Sequence, residues 1–295
     1  MKILISDKID ENALSYLKEQ KIDVDYLPEI TPEELLKSIS TYDALILRSR
    51  TRVTKEVIES GINLKVIARA GTGLDNIDIK AAEQKNIKVI NTPSANVTAV
   101  AELTLGLMIS LFRKLGLAYT SMKEGLWLKK DLKGSELNGK TIGIIGFGRI
   151  GKKVSELLSV FGVEILIYDL QNSTCSLEEL FTRSDLITIH VALTPVTRGF
   201  INKKLLSLMK PSAFLINISR GEVVDEENLY EALVNKRIAG CALDVFWQEP
   251  LSADSRFRKL DNVILTPHIG AATHEALKKA SQSVAEDVVR ALKGE

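Results

Sequence analysis

The chain has 295 residues, of which 45% are hydrophobic and 26% are charged, and its formal net charge at pH 7 is +1. This balance excludes the strongly basic surface expected of a protein that binds nucleic acid or an anionic membrane. No apolar run reaches the ~20 residues that a membrane span needs, and the apolar stretch at the N-terminus is too short for a signal peptide. We therefore expect a globular cytoplasmic protein that is long enough for two domains.

Short apolar runs alternate with helical patterns in the first third of the chain. The sequence Thr31-Pro32-Glu33-Glu34 predicts a helix start, with an N-cap residue, a proline in the first turn and a capping-box glutamate. Strands are predicted at 2–6, 21–27, 43–48, 64–70 and 87–91. This alternation favours a mostly parallel sheet with helices on both faces.

The alternation stops at residue 95 and resumes after a polar segment. Residues 95–124 predict one long helix, or two joined helices, that are apolar on more than one face and therefore buried on several sides. Residues 129–140 predict a linker, and residues 272–295 predict an amphipathic helix. Between these segments, strands are predicted at 141–146, 163–169, 186–191, 213–219, 240–245 and 262–266.

A glycine-rich loop follows the strand at 141–146. Its glycines, Gly146, Gly148 and Gly151, have the GxGxxG spacing, and a helical pattern follows them. Asp169 ends the next predicted strand, close to the ~20-residue distance expected for the acidic residue that binds the adenosine ribose. The loop therefore predicts a dinucleotide site, with the pyrophosphate at the helix N-terminus and NAD preferred over NADP. The alternative is a tight strand–helix turn that binds nothing.

A second glycine loop, with Gly71 and Gly73 on either side of Thr72, follows the strand at 64–70. It lacks the dinucleotide spacing, but its backbone N–H groups could form an anion-binding nest for a substrate carboxylate. A strained turn without a ligand is the alternative.

Polar residues that could bind a substrate or transfer a proton follow three consecutive predicted strands in the second half of the chain. They are Arg220, then Asp244 with Glu249 soon after it, and then His268. Ligands of open parallel sheets bind beyond the carboxyl ends of the strands. A cation can hold a carboxylate and polarise a ketone, a histidine can donate a proton, and a nearby carboxylate can orient its ring. Arg220, His268 and Glu249 are expected in those roles, against the alternative of surface salt bridges.

The remaining histidines and the cysteines carry weaker signals. His190 also ends a strand and is interpreted as structural or close to the cofactor, and His274 is expected to be solvated. Cys175 and Cys241 lack the spacing of a disulfide framework or a zinc centre, so we expect reduced thiols and no metal.

Six segments together resemble the D-isomer-specific 2-hydroxyacid dehydrogenases, and within that family the catalytic core of the phosphoglycerate dehydrogenase group. The segments are 69–79, 91–104, 137–151, 217–226, 242–250 and 266–273. The resemblance implies NAD as cofactor, Arg220 as substrate-binding arginine, Glu249 as partner carboxylate and His268 as acid/base. The cofactor contacts that we expect are Thr72, Gly146, Gly148, Arg149, Ile150, Asp169, Val191, Ile218, Asp244, Gly270 and Ala271. Ala192 departs from the family, in which many members have proline.

The family fold implies two Rossmann-like, doubly wound parallel-sheet domains with a cleft between them. Residues 1–93 and 273–295 are expected to form a discontinuous substrate domain. Residues 94–272 are expected to form the NAD-binding domain and to carry the dimerisation helix. A homodimer or tetramer is therefore expected, with a cleft that closes on binding and excludes water.

A phosphorylated substrate would need further cations near the loop that is expected to bind the substrate carboxylate. Arg48, Arg50 and Arg52 alternate after a strand, and Arg48 best matches the family's phosphate-contacting arginine. Arg69, next to Gly71 and Gly73, is a further candidate, and solvated basic residues are the alternative. By resemblance, Lys129 could reach a neighbouring subunit's site.

The resemblance leaves three functions open. The first is oxidation of 3-phosphoglycerate to 3-phosphohydroxypyruvate, the first step of serine biosynthesis. The second is a glyoxylate/hydroxypyruvate reductase or D-lactate-type dehydrogenase. The third is a binding protein of another class, an NAD-sensing corepressor, although the arginines on the substrate side fit an enzyme better.

Overall fold

A computed structural model describes residues 1–294. The chain divides into two compact α/β units. The first comprises Met1–Val97 together with the segment that starts at Ala271, and the second comprises Thr98–Gly270.

Strands and helices alternate through both units. The strands are β1 (Lys2–Ile5), β2 (Asp23–Tyr26), β3 (Ala44–Leu47), β4 (Val66–Arg69), β5 (Lys88–Asn91), β6 (Thr141–Ile145), β7 (Glu164–Tyr168), β8 (Leu186–Ile189), β9 (Phe214–Asn217), β10 (Gly240–Leu243) and β11 (Val263–Leu265). The α-helices are α1 (Glu11–Glu19), α2 (Pro32–Ser38), α3 (Lys55–Ser60), α4 (Ile79–Gln84), α5 (Val97–Arg113), α6 (Leu115–Lys123), α7 (Arg149–Leu158), α8 (Leu177–Arg183), α9 (Lys203–Leu208), α10 (Glu226–Val234) and α11 (His274–Lys293).

The first unit is built on a parallel sheet with the strand order β2-β1-β3-β4-β5. Successive side chains of its strands point to opposite faces of the sheet, so the apolar side chains on both faces must be buried by helices. Ile3 and Ile46 pack with apolar side chains of α1 and α11 on one face. Leu4 and Leu45 pack with α2, α3 and α4 on the other. The strand order reverses at β1 and β3, which is where open sheets of this kind place ligands.

The second unit is built on a parallel sheet with the order β11-β10-β9-β8-β6-β7. One face packs on α8, α9 and α10, and Phe181 is completely buried there. The other face packs on α5 and α7, where Met108 and Leu158 are completely buried. In this sheet the strand order reverses between β6 and β8, and the glycine-rich loop directly follows β6. The predicted architecture of two doubly wound parallel sheets is thus confirmed.

Local signals account for the positions of several helix ends. At α2, the Thr31 side chain accepts a hydrogen bond from the Glu34 N–H, and the Glu34 carboxylate accepts one from the Thr31 N–H, so the predicted capping box is confirmed. The long apolar segment forms two helices, because Lys114 adopts a left-handed conformation with φ of 52° between α5 and α6. Within residues 1–294, no helix is both long and apolar enough to cross a membrane.

Candidate functional site

The glycine loop between β6 and α7 depends on glycine at two positions. Gly146 has φ of +91°, and a Cβ placed there would lie 2.8 Å from the backbone carbonyl of His190. A Cβ at Gly151 would lie 2.1 Å from the Gly146 carbonyl oxygen. At Gly148, the N-cap of α7, an added Cβ would meet nothing within 4 Å. Open space therefore adjoins the start of the helix, where backbone N–H groups favour a phosphate.

Asp169 directly follows β7, the strand next to β6, and its carboxylate is tied to the same loop. Oδ2 accepts a hydrogen bond of 2.9 Å from the Phe147 N–H, and Oδ1 accepts one of 3.0 Å from the Gln171 N–H. These hydrogen bonds hold the pKa of Asp169 below its usual value, so the group is ionised at neutral pH. A fixed anion beside the glycine loop can accept hydrogen bonds from the ribose hydroxyl groups and would repel a 2′-phosphate. These residues therefore fit a dinucleotide such as NAD.

Glu249 and His268 form a direct pair beyond the ends of the adjacent strands β10 and β11. His268 Nδ1 lies 2.6 Å from Glu249 Oε2, and Glu249 Oε1 accepts a hydrogen bond of 3.0 Å from the Phe246 N–H. Burial alone would raise the pKa of Glu249, but hydrogen bonds from His268 and Phe246 outweigh it and lower the pKa, with a smaller contribution from the charge of Arg220. The pair is thus an ionised carboxylate that fixes the orientation of an imidazole.

Arg220 follows β9, the next strand of the same sheet, in a turn held by Asn217. The Asn217 side chain, which is 1% exposed, accepts hydrogen bonds from the Ser219 N–H and hydroxyl and donates one of 2.8 Å to the Arg220 carbonyl. Arg220 itself donates from Nη1 to the Ser219 carbonyl at 2.7 Å. Sequence reasoning missed Asn217, although an asparagine at a strand end before a polar turn is a recognised turn signal.

The other predicted cofactor contacts of this unit occupy the same edge of the sheet. Arg149 and Ile150 begin α7, Val191 follows β8, and Ile218 follows β9. Asp244, which follows β10, is 1% exposed and accepts a hydrogen bond of 2.8 Å from the N–H of Gly270, the last residue of this unit. Ala271 follows in the chain and begins the last segment of the first unit. The structure therefore places these residues together, and their contacts with the cofactor stay a prediction.

In the first unit, Arg48 directly follows β3, and Arg69 is the last residue of the adjacent strand β4. The Arg48 guanidinium donates to the Lys8 carbonyl at 3.3 Å. Arg69 donates from Nε to the Arg48 carbonyl at 3.3 Å and from Nη1 to the Gly73 carbonyl, so it holds the Gly71–Gly73 loop.

The side chains of Arg50 and Arg48 point in different directions. β3 ends at Leu47, so the alternation of side chains along a strand does not continue to these residues. Its guanidinium binds the buried Asp7 carboxylate at 3.0 Å and the carbonyls of Ser6 and Ile30. We therefore conclude that Arg50 stabilises the segment that follows β3.

Thr72, predicted as a cofactor contact, is held within the first unit. Its hydroxyl donates a hydrogen bond of 2.8 Å to Asn96 Oδ1, and its carbonyl accepts one of 2.6 Å from the Asn91 side chain.

The other histidines differ from His268. Burial lowers the pKa of His190 to about 3, and its Nε2 lies 3.0 Å from the Thr188 hydroxyl, so this ring is neutral at pH 7. His274 is exposed at the start of α11. Across residues 1–294, no group of three or more histidine, cysteine, aspartate or glutamate side chains could hold a metal ion.

Comparison with known proteins gives concordant results. The chain is 45% identical to the D-3-phosphoglycerate dehydrogenase of Methanocaldococcus jannaschii over its whole length, but it spans only 58% of that relative. It is 43% identical to the hydroxypyruvate reductase of Thermotoga maritima, covering 99% of this chain and 98% of the relative. A structure of NAD+-bound 3-phosphoglycerate dehydrogenase from Entamoeba histolytica matches with a TM-score of 0.85 at 32% identity, covering 99% of this chain and 95% of the other.

The second unit also matches a family description directly. Residues 105–270 match the D-isomer specific 2-hydroxyacid dehydrogenase, NAD binding domain. The chain therefore belongs to the D-isomer specific 2-hydroxyacid dehydrogenase family, and its cofactor is NAD.

Proposed function

We propose that the protein interconverts a D-2-hydroxy acid and its 2-keto acid. The observation that carries this proposal is the Glu249–His268 pair, which lies past the ends of β10 and β11. Arg220 follows β9, the other neighbour of β10 in the sheet. NAD, when bound, supplies the two-electron chemistry by accepting a hydride from the hydroxy acid or returning it to the keto acid.

His268 manages the proton that accompanies this change. Because Nδ1 faces Glu249, the opposite nitrogen, Nε2, takes the proton from the substrate hydroxyl or returns it to the ketone oxygen. The ionised Glu249 stabilises the imidazolium that forms during oxidation. Arg220 binds the substrate carboxylate and stabilises negative charge on the carbonyl oxygen.

The two units divide the remaining roles. The first unit, predicted as residues 1–93 and 273–295, provides substrate contacts from Arg48, Arg69 and the Gly71–Gly73 loop. The second, predicted as residues 94–272, holds NAD at the glycine loop and at Asp169.

The substrate that these residues fit best is 3-phosphoglycerate, which is oxidised to 3-phosphohydroxypyruvate as the first step of serine biosynthesis. Arg48 supports this choice, because its guanidinium lies beyond β3, at the point where the strand order of the first sheet reverses. The name of the Methanocaldococcus jannaschii relative supports it as well.

Hydroxypyruvate or glyoxylate reduction is the second candidate. It is favoured by the Thermotoga maritima hydroxypyruvate reductase, because that relative and this chain match over nearly their whole lengths. D-lactate oxidation on the same scaffold is a further alternative.

The test is steady-state kinetics with NAD or NADH on a small panel of phosphorylated and plain 2-hydroxy and 2-keto acids. We expect turnover of the D-isomers, with 3-phosphoglycerate or 3-phosphohydroxypyruvate giving the highest kcat/KM. A higher kcat/KM with hydroxypyruvate would select the second candidate. NADH binding without turnover of any panel member would contradict an enzyme and favour an NAD sensor.

Replacing Arg48 by alanine is expected to lower kcat/KM for 3-phosphoglycerate by about 10-fold to 100-fold, because a charge-assisted contact with the phosphate is lost. The kcat/KM for an unphosphorylated 2-hydroxy acid should change by less than about 3-fold, since its carboxylate is held elsewhere. The measurement is the ratio of the two kcat/KM values. Arg237→Ala, at an exposed arginine of the second unit, is the control, and equal losses on both substrates would refute the phosphate assignment.

We also propose that two copies of the chain associate through α6 and the segment after it. This region exposes large apolar side chains, namely Leu115, Leu117, Tyr119, Met122, Leu126 and Trp127. Exposed large apolar side chains that are close in sequence are typical of an interface. Sedimentation velocity should give the mass of a dimer or tetramer, and a monomer at micromolar concentration would contradict the proposal.

A further inference from the structure

His268 stands in a backbone conformation that needs support. Its φ is +53°, in the left-handed region that residues other than glycine adopt at an energetic cost. The His268 N–H also donates a hydrogen bond of 3.0 Å to the Thr266 carbonyl, which closes a tight turn. The direction of the imidazole therefore depends on whatever holds this turn in place.

The buried carboxylate of Asp244 holds the turn from both sides of His268. Its Oδ1 accepts a hydrogen bond of 2.6 Å from the Thr266 hydroxyl and one of 2.9 Å from the Ile269 N–H. Its Oδ2 accepts one of 2.8 Å from the Gly270 N–H. One carboxylate, 1% exposed at the end of β10, thus ties together the residues that flank His268.

We propose that Thr266 is a positioning residue, whose hydroxyl acts through Asp244 to keep His268 in the left-handed turn and its Nδ1 against Glu249. The inference rests on the proposed function of His268 as acid/base. The Glu249 carboxylate is already held in position, because its other oxygen accepts a hydrogen bond from the Phe246 N–H. Alignment of the pair is therefore controlled from the His268 side.

Thr266 can be altered without removing the turn's other supports. Thr266→Val keeps the shape of the side chain and leaves the backbone N–H groups of Ile269 and Gly270 bound to Asp244. Replacing Asp244 would instead leave two backbone donors without their acceptor, and Asp244 is also a predicted cofactor contact. Thr266→Ser restores a hydroxyl at the same position and is the rescue variant.

The kinetic test compares the wild type with Thr266→Val, Thr266→Ser and Thr182→Val. Thr182 is an exposed threonine of α8 and serves as the matched control. We expect Thr266→Val to lower kcat about tenfold, since small misalignments at a reacting centre have large effects, while the Kd for NADH changes less than about twofold. Thr266→Ser should recover most of kcat, and Thr182→Val should match the wild type. Wild-type kcat in Thr266→Val, or an equal loss in Thr266→Ser, would overturn the proposal.

A second readout does not depend on turnover. The chain has only three histidines, so ring signals of His190, His268 and His274 can be assigned by NMR with single His→Gln variants. We expect a downfield Nδ1 proton of His268 that Glu249→Gln removes and Thr266→Val weakens, with the other two histidines unchanged. An unaltered His268 signal in Thr266→Val would overturn the positioning role. Absence of turnover in the wild type would instead overturn the proposed function, and the spectra would still decide the role of Thr266.

Discussion

Replacing His268 by alanine is expected to lower kcat by about 10²-fold to 10⁴-fold, the usual contribution of a general acid or base. The Kd for NADH should be nearly unchanged, because the glycine loop and Asp169 follow other strands of the sheet, β6 and β7. Stopped-flow turnover and fluorescence titration with NADH measure the two quantities on the same preparation. His268→Asn is a useful companion, since asparagine tolerates the left-handed backbone better than alanine.

The matched control for this prediction is His274→Ala, because His274 is the exposed histidine at the start of α11. Its kcat should stay within about twofold of the wild type, as expected for a surface substitution. Near-normal kcat in both His268 variants would refute the acid/base role.

Replacing Arg220 by lysine is expected to lower kcat/KM by about 10²-fold to 10³-fold, the range found when a donor to a developing negative charge is removed. Lysine keeps the positive charge but loses the planar fork that binds a carboxylate through two parallel hydrogen bonds. The turn itself should persist, because Asn217 binds the backbone of Ser219 and Arg220.

Arg237→Lys provides the control for this change, since Arg237 is exposed in the same unit. The measurement is kcat and KM for the best substrate of the panel, with the Kd for NADH determined separately. If Arg220→Lys retained wild-type kcat/KM, the arginine would have no part in substrate binding.

The fold was predictable because each strand is a short apolar run between recognisable helix signals. A parallel sheet buried on both faces needs such runs, and its carboxyl ends share one edge. Arg220, Glu249 and His268 follow consecutive strands in the sequence, and β9, β10 and β11 are also neighbours in the sheet. Their proximity therefore followed from topology alone.

The supporting contacts could not be predicted, because they depend on distant parts of the chain meeting in three dimensions. The Arg50 side chain binds Asp7, which follows β1 in a distant part of the sequence, so the spacing of Arg50 from Arg48 does not predict the direction of its side chain. Likewise, the left-handed conformation of His268 has no specific sequence signature, since only a few per cent of non-glycine residues adopt it. The hydrogen bond from the Thr266 hydroxyl to Asp244 joins residues that are 22 apart in the sequence, so no local pattern predicts it.

The central claim is that Glu249 and His268 act as one acid–base unit, and a double-mutant cycle on kcat tests it most directly. Glu249→Gln, His268→Ala and the double variant are compared with the wild type on one substrate. We predict that the double variant is no slower than His268→Ala, because Glu249 acts only through the imidazole that it orients. Losses that multiply in the double variant would show that the two residues act independently and would contradict this account.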